Sequence, residues 1–311
     1  MSRGPWKGRD FLSILDLDRE DALALLELAD RVKRAPAEFS GALATKVAVL
    51  LFEKPSLRTR VTFEVGMTSL GGSAIYLARD QVGMGEREPA CDVARNLDRW
   101  VHAIVARTYS HATIEELARE AEIPTINALS DREHPCEALA DFQTIRECFG
   151  EEAVTLTYVG DGNNVCHSLL LLGGMLGYEV RVACPLGYEP AEDITREAER
   201  LAAESGGRIV VGHDPRELAR GARVLYTDVW TSMGQEEETQ RRRADFSGFQ
   251  VNQGLLSLAA KGARVMHCLP AHRGEEISAE VMESPAAVLY DQAENRLHSQ
   301  KALLLRILGG V

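Results

Sequence analysis

The chain has 311 residues, 45% of them apolar and 26% charged, which is room for two domains with separate cores. A net charge of −12 leaves no broad basic face, so nucleic acid is excluded as a partner, while a single basic pocket for a small anion stays compatible. No stretch approaches the roughly 18 apolar residues of a membrane span, and the start MSRGPWKGRDFLSILDLDRED turns acidic too soon for a signal peptide, so a cytoplasmic setting is expected.

Along the chain, a helix is expected over Arg19–Arg34. Strand candidates follow at 46–52, 73–78, 103–107 and 124–129, with helical patterns near 57–70, 90–101 and 113–122. Residues 136–149 (CEALADFQTIRECF) predict a helix joining two lobes. The second half offers strands at 154–160, 179–184, 208–212, 223–227, 264–268 and 287–290, helices between most of them, and a final helix over 294–308. Strands alternating with helices predict an α/β fold with parallel sheets and an active site in the cleft facing the strand C-termini. The six cysteines, at 91, 136, 148, 166, 184 and 268, contain no C-x-x-C pair and suit neither a zinc site nor a disulfide framework.

Residues 53–60, EKPSLRTR, lie between the apolar run 46–52 and a stretch with Phe63, Met67 and Leu70 at helical spacing. Ser56, Arg58, Thr59 and Arg60 thus crowd the first turn of a helix, where free backbone N–H groups favour an anion, so the segment reads as a phosphate cradle. The alternative is a capped helix with two surface arginines. Arg107 ends its strand at the same carboxyl edge, either for the phosphate or for a surface ion pair. His134, at the end of the next strand, can donate to a carbonyl oxygen or be structural.

Val159–Asn164 (VGDGNN) resembles the glycine loop of a dinucleotide fold but lacks the third glycine, which disfavours a nicotinamide-dependent dehydrogenase. Asn163 and Asn164 can cap the next helix or hold the polar end of a ligand. Residues 227–234 (TDVWTSMG) end a strand and enter a charged stretch whose composition suits a mobile lid around 232–240. HCLPAHR, 267–273, ends the next strand in the same way.

With SLRTR, HPCE, DGNN, DVWTSMG, HCLP and DQAENRLH in order and in spacing, the chain resembles the ornithine carbamoyltransferases nearly end to end. DVWTSMG and HCLP separate these from aspartate carbamoyltransferases. The resemblance implies two Rossmann-like lobes joined by interdomain helices. Residues 1–135 with the helix 294–311 would bind carbamoyl phosphate, 136–149 would connect, and 150–293 would bind ornithine. It implies a trimer with shared sites, and neither cofactor nor metal. By the same resemblance, carbamoyl phosphate would be held by Ser56, Leu57, Arg58, Thr59, Arg107, His134, Pro135, Cys136, Glu137, Cys268, Leu269 and Arg296. Gln81, in DQVGMGERE, would be lent to a neighbouring subunit. Asn164, Asp228, Ser232 and Met233 would hold ornithine. Catalysis would fall to Arg58, Thr59, Arg107 and His134, which stabilise charge, and to Asp228 and Cys268, which orient the amine.

One position departs from the pattern. The family's motif is usually H-P-x-Q, and residue 137 is Glu. A carboxylate near a dianionic ligand opposes its binding unless it is protonated or paired, for instance with an arginine. The alternatives to ornithine transfer are another acceptor amine (N-acetylornithine, N-succinylornithine, putrescine or lysine) and a non-catalytic binding protein weakened at Glu137.

Overall fold

The apolar run VAVLLF forms strand β1 (Val47–Phe52), buried from Ala48 onward, as a parallel strand covered on both faces requires. The structure, a computed structural model, describes residues 6–85, 87–231 and 236–311. It divides into two units, one of residues 1–143 with 294–311 and the other of residues 144–293.

The first unit holds α1 (Arg19–Arg34), β1, α2 (Leu57–Ser69), β2 (Ser73–Ala78), α3 (Arg79–Val82), α4 (Ala90–Leu97), β3 (Ala103–Arg107), α5 (His111–Glu120) and β4 (Thr125–Leu129). Its strands pair in parallel in the order β2-β1-β3-β4. Phe52 pairs with Ala78 on one side and Arg107 on the other, so the strands finish together at one edge. From β1 the chain moves outward to β2, then returns past β1 to begin β3 on its other flank. That reversal makes the carboxyl ends of β1 and β3 the switch point at which open α/β sheets take their ligands. α6 (Pro135–Phe149) then leads into the second unit.

The second unit repeats the plan with β5 (Thr155–Val159), α7 (Asn164–Leu176), β6 (Glu179–Ala183), α8 (Glu192–Ser205), β7 (Arg208–Gly212), α9 (Pro215–Leu218), β8 (Val224–Thr227), α10 (Thr239–Asp245), α11 (Gln253–Leu256), β9 (Arg264–His267) and α12 (Ala279–Met282). The all-parallel order β7-β6-β5-β8-β9 puts its switch point at the ends of β5 and β8.

The last helix, α13, runs over Leu289–Leu308 and not from 294, and the strand expected at 287–290 does not form. Only Ala287 makes an isolated bridge, to Val265. Burial recurs with a helical period at Leu289, Gln292, Arg296, Ser299 and Gln300. Four of those five are polar, which is why the apolar pattern hides the first turns of the helix. Among the described residues no helix is long and apolar enough to cross a membrane.

Candidate functional site

In the first unit, the switch point collects cations around a buried carboxylate. Ser56 caps α2, its Oγ accepting from the Thr59 amide at 3.3 Å. Thr59 is buried, and its Oγ1 accepts from Arg296 Nη2 at 3.1 Å. Arg296, on α13 and 1% exposed, donates through Nη1 to Glu137 Oε2. Gln300, with its amide oxygen turned toward Arg296, accepts from Nη2 at 3.1 Å and Nε at 3.2 Å and donates to Thr62 at 2.6 Å. A buried guanidinium demands this degree of compensation.

Arg107 is buried at the end of β3, and its carbonyl accepts from the Glu53 amide at 2.8 Å, so the turn after β1 is tied to that strand. Lys54, in that same turn and absent from the expected set, is also buried, its Nζ 4.5 Å from the centre of the Tyr109 ring. Its place inside the phosphate motif was the available signal.

Pro135 starts α6, its fixed φ suited to a first helical position, and the His134 carbonyl accepts from the amides of Glu137 (3.0 Å) and Ala138 (3.2 Å). The His134 ring lies in the interior with Nε2 3.3 Å from Glu137 Oε2. Burial first, then the charges of Arg296, Arg107 and Arg58, hold its pKa well below the ordinary histidine range. A neutral imidazole among three guanidiniums is suited to donate a hydrogen bond to an oxygen that is gaining charge. Cys136 spends its thiol on the Asn127 carbonyl at 3.3 Å, and burial pushes its pKa up to about 12, so it stays protonated. The Leu57 side chain is 77% exposed, leaving its backbone N–H as its polar contribution. Gln81 stands apart on α3, exposed, its Oε1 accepting from the Ala78 amide at 2.9 Å.

In the second unit, Asp228 follows β8 and is buried. Its Oδ1 accepts from Cys268 Sγ at 2.9 Å and from the Val229 amide at 2.8 Å, and its Oδ2 accepts from Asn163 Nδ2 at 2.8 Å. Asn163 does two jobs, since its Oδ1 also caps α7 by accepting from Val165 (3.0 Å) and Cys166 (3.1 Å). Asn164 is the first residue of α7, and its Oδ1 accepts from the Val165 amide at 3.0 Å. Gly162 is required by packing, because a Cβ there would sit 2.2 Å from Pro190 N.

The turn Cys268–Leu269 is held from behind. His267 Nδ1 accepts from the Leu269 amide at 2.8 Å, which assigns the ring proton to Nε2, 3.1 Å from the buried Glu276. Leu269 adopts φ +58, a left-handed conformation costing about 1–2 kcal/mol that these bonds offset. Ligand atoms of Asp228, His267 and Cys268 lie within 4.8 Å of one another, but both ring nitrogens of His267 are engaged, so the trio offers no imidazole lone pair to a metal.

Ser232 and Met233 lie outside the described residues. Part of the stretch read as a lid is anchored: Thr239 and Gln240 start α10, and Arg242 on that helix is buried. Arg242 donates to Asp161 Oδ2 (2.7 Å), the Trp230 carbonyl (2.9 Å) and Glu238 (2.8 Å). Its long-range partners left no local sign in the sequence.

The comparisons with known proteins divide the chain in the same order. Residues 9–147 match the family model "Aspartate/ornithine carbamoyltransferase, carbamoyl-P binding domain", and residues 152–307 match "Aspartate/ornithine carbamoyltransferase, Asp/Orn binding domain". The ornithine carbamoyltransferase of Listeria innocua is 50% identical over 303 residues, covering 97% of this chain and 96% of that one. The structure of ornithine carbamoyltransferase from Pyrococcus furiosus superposes with a TM-score of 0.96 at 48% identity, covering 99% of this chain and all (100%) of that one. The anabolic ornithine carbamoyltransferase of Campylobacter jejuni gives 0.92 at 37% identity, covering 95% and 97%. Two family models that leave few residues unmatched, and a relative half identical along nearly its whole length, make the chain a member of the aspartate/ornithine carbamoyltransferase family.

Proposed function

We propose that the protein transfers the carbamoyl group of carbamoyl phosphate to the δ-amine of L-ornithine, giving L-citrulline and phosphate in the direction of arginine synthesis. The observation that carries this is chemical pairing within one chain. One switch point gathers guanidiniums and a neutral histidine, and the other couples a thiol to a buried carboxylate. An anion with a polarised carbonyl suits the first, and a neutral amine that must be oriented suits the second.

In this reading Ser56, Leu57, Arg58, Thr59 and Arg107 take the phosphate, chiefly through charge-assisted and backbone bonds. His134 and Arg296 face the carbamoyl carbonyl. Asn164, Asp228, Ser232 and Met233 hold the amino acid, with Cys268 and Leu269 beside the reacting atoms. The δ-nitrogen forms its bond to the carbamoyl carbon and negative charge moves to the carbonyl oxygen; the carbonyl then re-forms as the C–O bond to phosphate breaks, and the amine's proton passes to the departing phosphate. Each preorganised donor at the oxyanion supplies roughly 3–4 kcal/mol, and no covalent enzyme intermediate or cofactor is required. A cytoplasmic setting belongs to the same reading.

The test is citrulline formation from carbamoyl phosphate and ornithine, with N-acetylornithine, putrescine and lysine run beside it. Turnover confined to ornithine is expected. Turnover confined to another amine would move the substrate, and none with any amine would leave a binding protein.

We extend the proposal to a homotrimer in which Gln81 serves a neighbouring copy. On α2, Leu57, Val61 and Val65 follow one another at four-residue spacing with 77%, 45% and 45% exposure, and the edge strand β2 adds Ile75 at 49%. Exposed apolar side chains repeated along one helix support this reading, since such surface is commonly covered by a partner. Val61→Glu is expected to convert a trimer to monomers in light scattering and to lower turnover with it; a wild type that is itself monomeric and fully active would end the idea.

A further inference from the structure

We propose that Glu137 is a built-in counter-anion, which holds Arg296, Thr59 and His134 in place before any ligand arrives and whose charge then limits how tightly the site takes a phosphate dianion. This rests on the carbamoyl-phosphate reading above and adds to it what sets the affinity.

Among the described residues Arg296 meets three side-chain acceptors, the Glu137 carboxylate, the Thr59 hydroxyl and the Gln300 amide, and only the first is charged. With 1% of its surface exposed, the guanidinium draws little compensation from water. Glu137 therefore neutralises it from within, and the same Oε2 lies 3.3 Å from His134 Nε2. One ion pair thus ties the first turn of α2, the start of α6 and α13 together. A glutamine at 137, as the family's motif usually has, would keep the shape and leave the positive charge for the ligand to meet. Carboxylate and dianion repel, whereas an uncompensated Arg296 would attract the dianion and weaken the empty protein.

Glu137→Gln separates the two effects because it changes charge and little else. Thermal unfolding would be followed with and without inorganic phosphate, beside steady-state kinetics in carbamoyl phosphate. Without ligand, Tm is expected to fall by about 5–10 °C. Phosphate should recover most of that loss and raise Tm by more than it does in the wild type. KM for carbamoyl phosphate should fall roughly three- to tenfold. The double variant Glu137→Gln with Arg296→Gln, free of both charges, should regain ligand-free Tm and lose the enhanced phosphate response.

An unchanged Tm, a phosphate response equal to the wild type, or an unchanged or raised KM would overturn the proposal. A purely structural role for Glu137 could lower Tm but would not lower KM. Should the single variant fail to fold without ligand, refolding in phosphate decides: recovery supports the counter-anion, and failure in phosphate rejects it. A wild type that inorganic phosphate does not stabilise and that does not turn over carbamoyl phosphate would sink the underlying reading and this inference with it. A stabilised wild type with a variant that responds identically would sink the counter-anion alone.

Discussion

Replacing Arg58 by glutamine is expected to lower kcat/KM for carbamoyl phosphate by roughly a hundred- to a thousandfold and to leave Tm within about 1 °C. Arg58 occupies the first turn of α2 with its side chain half-buried, so glutamine, of similar helix propensity, leaves the packing intact. What goes is a fixed positive charge close enough to act on the protonation of His134. A donor preorganised for developing charge is worth about 3–4 kcal/mol, and each 1.36 kcal/mol is a factor of ten in rate. The same change at Arg107 would confuse the result, because that side chain is buried and its loss costs stability as well. Steady-state kinetics beside thermal unfolding check the expectation, and a fall of less than tenfold would remove Arg58 from the phosphate site.

Asp228→Asn should lower turnover with ornithine by about a thousandfold and destabilise the protein by about 1–3 kcal/mol. Three donors point at this carboxylate: the Cys268 thiol, the Val229 amide and the Asn163 side chain. An amide has one accepting oxygen. Turned either way, its NH2 group confronts a donor, and Asn163 is not free to rotate because its own oxygen caps α7. Cys268→Ser is the control. It keeps an O–H donor toward Asp228, so its loss should stay well below that of Asp228→Asn. Stabilisation by inorganic phosphate should persist in both variants, since the phosphate cluster belongs to the other unit. A variant that lost this stabilisation would show that Asp228 serves the whole fold and not the amine.

The parallel sheets were legible because their strands are short, branched and apolar on both faces, as in Val47–Phe52, and because breaks in the pattern fall at the strand ends. The cap at Ser56 was legible from local chemistry in the same way. Partnerships across the chain were not. The thiol of Cys268 turns not to the neighbouring His267 ring but to Asp228, 40 residues earlier, which stands 2.9 Å from its sulfur. Glu137 suggested an arginine partner, but nothing local could point to Arg296, 159 residues on. The Arg242 behind Asp161, 81 residues on, was missed for the same reason. Leu289–Ala293 misled in another way: a helix that buries polar side chains to build a site carries no apolar stripe to announce its start.

The return of α13 to the first unit also sets an order of events during synthesis. The second unit is one continuous segment and can close as soon as residue 293 clears the ribosome. The first must wait, although 143 of its residues emerge early, because Arg296 reaches back 237 positions to Thr59. The amide of Gly8 donates to the carbonyl of Ile307 at 2.9 Å, so the segment before α1 and the end of α13 lie side by side. The phosphate cradle is therefore complete only once residue 296 has emerged to meet Thr59.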